Sequence, residues 1–131
     1  MRTQSLLPAA LVTAFLSGSV AAPARASDIE AGGFLNGNTL LQECQSSAVA
    51  ARAQCRGFVM GVADAMSIAQ VFNEPVAGRR ACPRDYVTWQ QPGDVATSYL
   101  TRHPELRHYI ASWLVANALE EAFPCTGADK R

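Results

Sequence analysis

The chain has 131 residues, with 11 basic and 11 acidic side chains, and a formal net charge of zero at pH 7. A length of this order suits one small domain. No Lys/Arg cluster forms a stripe that could track a phosphate backbone, so no nucleic-acid partner is expected.

The first residues read as an export signal. Arg2 supplies the positive start, Leu6 to Val20 the apolar centre, and Ala24-Arg25-Ala26 a small-x-small cleavage site. Cleavage is expected after Ala26, leaving residues 27–131 as a single helical domain with a formal charge of −2. The apolar run is interrupted by Pro8, Thr13, Ser17, Gly18 and Ser19. It is shorter than the roughly 20 residues a spanning helix needs. No later stretch reaches that length without charges, so no membrane span is expected after cleavage. The expected location is the periplasm or the cell exterior.

An oxidising compartment sets the chemistry of Cys44, Cys55, Cys82 and Cys125. An even set of thiols there usually ends as disulfides, so these are read as cross-links. Residues 27–36 form a polar lead-in with Gly32-Gly33. A short first helix is predicted from Gly37 to Cys44, with Asn38 as the residue that accepts a hydrogen bond from a first-turn amide. Ser46-Ser47 breaks that pattern. A second helix follows from Ala48 or Ala50 to about Ala69. Its apolar stripe runs through Cys55, Phe58, Val59, Val62, Ala65, Met66 and Ala69. Gly57 and Gly61 cost such a helix about 1 kcal/mol each relative to alanine, and close approach of another helix backbone is the expected reason. A membrane-dimer reading of this G-x-x-x-G is disfavoured by Arg52, Arg56 and Asp64 on the same helix.

Asn73, Pro75 and Gly78 end the second helix and open a polar loop carrying Arg79-Arg80, followed by Cys82-Pro83. Thr88 and Gln91 have capping-box spacing, so a third helix is predicted from there to about Arg102, burying Val95, Ala96, Tyr99 and Leu100. Pro92 would then sit awkwardly at the end of the first turn. His103-Pro104 punctuates the chain, and Pro104 with Glu105 opens a fourth helix. That helix is predicted to reach about Phe123, burying Leu106, Tyr109, Ile110, Trp113, Leu114 and Leu119 on the way. No segment alternates as a strand. The fold class is therefore all-α: a small orthogonal or antiparallel bundle of about four to five helices.

Four cysteines allow three pairings. The third and fourth helices are joined by almost no loop and should pack antiparallel, which brings Cys82 toward Cys125. Cys44 closes the first helix and Cys55 lies early in the second, across a short turn. Two disulfides, Cys44–Cys55 and Cys82–Cys125, follow. Catalysis by a thiol would need a free cysteine beside a histidine, and only His103 and His108 exist. The cysteines lack the close ligand pairs of a zinc site. No enzyme activity, cofactor or metal is expected.

The order of motifs resembles a known family. Phe34-Leu35-Asn36-Gly37-Asn38-Thr39-Leu40-Leu41 before Cys44 is similar to its opening. Cys55-Arg56-Gly57-Phe58-Val59-Met60-Gly61-Val62-Ala63-Asp64 is similar to its central helix. Cys82-Pro83, Val87-Thr88, Tyr99-Leu100, His103-Pro104 and Ala122-Phe123-Pro124-Cys125 complete the resemblance, which is to the Rap/Tai-type immunity proteins of bacterial type VI secretion systems. Pro92 is a departure, where a helix-forming residue would be expected. The resemblance implies a small periplasmic helical protein, often a homodimer, that binds and blocks a peptidoglycan amidase effector. It also implies a fold similar to small periplasmic acid-stress chaperones. An acid-stress chaperone or a housekeeping interaction protein on the same scaffold is the alternative reading.

The partner contacts expected from residue type and placement are Arg79, Arg80, Arg84 and Asp85 in the longest loop, with Trp89 and His103 beside it. Asp64 is read as a solvated or paired helix charge. Tyr99, Tyr109 and Trp113 could serve as interface anchors, but at helical spacing they are read as core residues, Trp113 above all.

Overall fold

Asn36, rather than Asn38, starts the first helix. Its Oδ1 accepts a hydrogen bond from the Thr39 amide at 3.0 Å, leaving α1 to span Gly37–Gln45. The structure, a computed structural model, describes residues 33–84 and 87–126. The expected signal segment and polar lead-in lie outside the described residues, apart from residues 33–36. The other elements are α2 (Val49–Val71), α3 (Gln91–Arg102), a 3-10 turn (Pro104–Leu106) and α4 (Ala111–Ala122), with no strand among the described residues. The all-α reading holds. No helix among the described residues is long and apolar enough to cross a membrane.

The predicted fourth helix is divided, and α1 is the reason. A helix N-terminus leaves its first amides without intrahelical partners. Here the Gly37 amide donates to the Tyr109 carbonyl and the Asn38 amide to the Arg107 carbonyl, both at 3.1 Å. The Ala111 amide in turn donates to the Leu35 carbonyl at 2.8 Å. Residues 107–110 therefore turn their backbone outward to dock α1 instead of continuing as helix. Gly37 is needed at this contact, because a Cβ there would lie 2.5 Å from Leu114 Cδ1 and 2.9 Å from Arg107 Cα. Arg107 completes the break, donating from Nε to the Leu100 carbonyl at 2.6 Å and from Nη2 to the Thr101 carbonyl at 3.0 Å. It thus covers the last carbonyls of α3, where a cation also suits the helix dipole.

The α3 helix begins three residues after Thr88, at Gln91. The Gln91 side chain accepts from the Thr88 amide, which is one half of the expected capping box. Pro92 falls at the second helical position, where its missing N–H costs nothing. Its awkwardness disappears with the later start.

Leu40, Val59, Leu100, Leu114 and Val115 are the largest fully buried side chains. They come from all four helices and place one core between them. Both expected disulfides are present: Cys44–Cys55 closes the α1–α2 hairpin, and Cys82–Cys125 ties the entry of α3 to the exit of α4. Two expectations fail. Nothing lies within 4 Å of a Cβ built on Gly57 or Gly61, so no helix among the described residues approaches them. Tyr109, expected in the core, lies in the break before α4 and is 47% exposed.

Candidate protein-binding surface

The loop that leaves α2 is tightly built. Asn73 adopts φ 57° just past the helix, its amide donating to the Gln70 carbonyl at 3.0 Å, while the Glu74 amide donates to the Ala69 carbonyl at 2.9 Å. This is the Schellman ending, with Asn at the left-handed position. Pro75 then prevents helix from resuming. Val76 and Arg79 exchange backbone hydrogen bonds at 3.0 and 2.9 Å across Ala77 and Gly78, both at positive φ. That is a two-residue turn of the primed type, and its exposed tip projects as a fixed shape.

Arginines fasten this loop. Arg79 Nη1 lies 2.8 Å from Glu120 Oε2 on α4, and the Arg80 amide donates to Glu120 Oε1 at 3.3 Å. Arg80 Nη1 donates to Asn73 Oδ1 at 2.9 Å, and its Nη2 donates to the Asn73 carbonyl. The Cys82 amide donates to the Phe123 carbonyl at 2.8 Å, beside the Cys82–Cys125 disulfide. Arg79 and Arg80 are thus engaged within the molecule, holding the turn up, with their remaining donors at the surface.

Beneath the loop, Arg79, Tyr99, Trp113, Asn117, Glu120 and Glu121 line an open groove of about 260 Å³. Its charges come in pairs, Arg79 with Glu120 and Arg102 with Glu121 at 2.9 Å. Burial raises the Tyr99 hydroxyl pKa above 10.0, and Glu121 adds to the rise while Arg79 and Arg102 oppose it. The phenol is therefore a neutral donor at any physiological pH. Asn117 is 8% exposed, and its Oδ1 is buried without a hydrogen-bond partner among the described residues. His103 stacks on Tyr99 with ring centroids 4.4 Å apart, and its Nδ1 lies 3.2 Å from Glu105 Oε1. Tyr109 meets Trp113 edge-on at 5.5 Å, extending the aromatic surface.

The residues expected from the sequence divide over this surface. Arg79 lines the groove and His103 packs on one of its walls, while Arg80 supports the turn. Arg84 is exposed and lines a second cleft of about 230 Å³ beside Cys82 and Val87. Trp89 is 59% exposed and sits away from those contacts, with the Arg56 guanidinium of α2 5.4 Å from its ring centroid. Asp85 lies outside the described residues. Asp64 is exposed and makes no ion pair or side-chain hydrogen bond among the described residues. Tyr99 is buried in the core and Trp113 packs against it, as expected, and both also line the groove, whereas Asn117, Glu120 and Glu121 were not singled out from the sequence. The adjacent acids near the C-terminus of α4 were a readable signal, since that end of a helix disfavours negative charge unless cations face it.

Among the described residues there is no free cysteine and no cluster of His, Cys, Asp and Glu suited to a metal. A small disulfide-stapled helical domain with a fixed surface turn above a groove of paired charges and aromatics belongs to the class of compact binding proteins. The family model of Rap1a immunity proteins matches residues 36–125, from the cap of α1 to the last cysteine, and the chain belongs to that family. No curated protein and no solved structure matches the chain.

Proposed function

We propose that the chain is an exported immunity protein that binds and blocks a peptidoglycan amidase effector of a type VI secretion system. The observation that carries this reading is the family match over residues 36–125, which takes in every helix of the described residues and both disulfides. Immunity proteins act by binding a cognate effector, and nothing in the reading requires catalysis. Disulfides at both ends of the bundle suit an oxidising compartment. In this reading residues 1–26 are the cleaved signal, residues 27–131 are the functional domain and the periplasm is its place of action.

The fixed turn at Val76–Arg79 and the groove beside it are the proposed contact. A preformed loop loses little conformational entropy on binding, which favours occlusion of a cleft. Arg79 and Tyr99 offer donors, and Trp113 and Tyr109 offer the aromatic area that dominates many interfaces. The test is purification of the tagged chain from the periplasm together with a toxicity assay. A peptidoglycan hydrolase should co-purify, and deletion should sensitise cells to attacking neighbours. The reading fails if no hydrolase associates and the deletion strain survives attack as well as its parent.

A further inference from the structure

Seven residues of α4 are buried, and six of them are apolar. The seventh, Asn117, is the one buried polar residue among the described residues. Its Oδ1 accepts from no donor there, and a buried acceptor left without a donor weakens a fold. An apolar side chain of similar size, such as leucine, would serve the bundle better. A residue kept where it harms packing marks a functional position. Its place says which one. Asn117 lines the groove beneath the Val76–Arg79 turn, with Trp113 one helical turn before it on α4 and Glu121 one turn after.

Net charge selects no ligand for this groove. Arg79 Nη1 lies 2.8 Å from Glu120 Oε2, and Arg102 Nη2, beside the groove, lies 2.9 Å from Glu121 Oε1. Two guanidinium groups thus face two carboxylates. Spare hydrogen-bonding capacity does select one. Among the described residues Glu121 accepts from Arg102 at one oxygen only, and a carboxylate offers about four acceptor sites. The Asn117 amide turns about a broad, two-fold terminal torsion, so its oxygen can meet a donor that enters the groove. Tyr99 and Trp113 add aromatic surface to the same lining. The groove lacks a flat group rich in N–H donors.

We propose that the groove is a receptor for a guanidinium group, with Asn117 and Glu121 as the residues that select it. The plane of the group packs on Trp113, and its fork donates to Asn117 Oδ1 and to the Glu121 carboxylate. Arg102 shows the same preference from within the chain, its guanidinium carbon lying 6.0 Å from the Tyr99 ring centroid while Nη2 holds Glu121. A carboxylate ligand would bring acceptors to acceptors, and a primary amide would bring fewer donors and no charge. A volume of about 260 Å³ has room for one such side chain. This deepens the effector reading and rests on it for the source of the group, an arginine side chain at the effector's surface.

The experiment is an NMR titration of the purified, disulfide-bonded protein with N-acetyl-arginine methylamide, up to about 50 mM as a fragment of this size requires. The glutamine and glutamate counterparts are the controls. The arginine derivative should shift the Asn117 side-chain amide and the Trp113 indole N–H to saturation, and bind at least about threefold more tightly than either control. Asn117→Leu should keep the circular dichroism of the fold and unfold at an equal or higher denaturant concentration, yet bind the arginine derivative about tenfold more weakly. Glu121→Gln, at a half-exposed position where the fold tolerates change, should weaken binding about threefold. Arginine that binds no better than glutamine or glutamate overturns the proposal, as does unchanged binding in either variant. Loss of stability in Asn117→Leu overturns the role of Asn117, since the amide then serves the fold. The effector reading fails separately. If the titration saturates as expected but no hydrolase co-purifies, the groove keeps its ligand and the effector reading falls. If a hydrolase co-purifies and both variants hold it as tightly as the wild type, the effector reading stands and the proposal falls.

Discussion

Helices α2 and α4 use the same local structure for opposite ends. The α4 helix has 12 residues and buries seven, from Ala111 and Leu114 through Leu119, while α2 has 23 and buries three. One is apolar nearly all round and fills the bundle. The other lends a narrow stripe to the core and keeps most of its circumference for solvent or a partner. The contrast teaches that helix length is no measure of contribution to stability. Burial is, and here it is concentrated on the shorter element.

The covalent staples give the largest test of that contrast. In the chain-entropy model, the loop closed by Cys82–Cys125, whose ends are 43 residues apart, contributes about 4 kcal/mol, and the 11-residue separation of Cys44–Cys55 about 3 kcal/mol. Paired Cys→Ser replacement at α4 should lower the free energy of unfolding more than paired replacement at α2, read by non-reducing urea titration. The reverse order would place the stability on the α1–α2 hairpin and break the comparison.

Side chains give the next effect. Leu114 is fully buried on α4, whereas Ile68 on α2 is 57% exposed. Leu114→Ala should cost about 3 kcal/mol, and Ile68→Ala under about 0.5 kcal/mol in the monomer, by denaturant midpoint at unchanged slope. Glycine substitutions then differ in sign. At Gly37 a methyl meets the Arg107 backbone, so Gly37→Ala should destabilise by about 1–3 kcal/mol. At Gly61 a methyl meets nothing, so Gly61→Ala should stabilise by about 0.5–1 kcal/mol. Thermal unfolding reads both. Destabilisation by both substitutions would mean that α2 is covered after all.

How far the sequence foretold this arrangement depended on whether a signal was local. Apolar periodicity placed all four helices, and antiparallel packing of α3 on α4 followed from the short His103-Pro104 link, which was enough to pair the cysteines. The break at residues 107–110 was not legible. The apolar pattern through Leu106, Ile110 and Leu114 is helical, and what interrupts it is the demand of distant amides at Gly37 and Asn38 for acceptors. Gly57 and Gly61 were read for their cost and assigned a close helix neighbour, yet periodicity cannot say whether any helix approaches them, and among the described residues none does. Arg79 was noticed as a loop charge. Its role in holding a turn above Tyr99 and Trp113 needed Glu120, 41 residues away.

The smallest effect concerns carboxylates, and it too divides the molecule. On α4, Glu120 and Glu121 each meet an arginine, whereas Glu43, near the C-terminal end of α1 in the α1–α2 hairpin, has a buried Oε2 without a hydrogen-bond partner among the described residues. Desolvation raises the Glu43 pKa above its ordinary 4.5, so the folded state holds that proton more tightly than the unfolded chain. Stability linked to this group is complete below the unfolded value and is lost as pH rises through the folded one. Glu43→Gln, which removes the charge, should therefore raise the melting temperature slightly at pH 7 and leave it nearly unchanged at pH 3. The gap should close as pH falls toward 4.5. Glu120→Gln should do the opposite at pH 7, because it deprives Arg79 of its charged partner, at a cost of under about 1 kcal/mol for a half-exposed pair. If Glu43→Gln instead destabilises the protein at neutral pH, the charge has a partner on the hairpin, and α1 resembles α4 in the way it manages its acids.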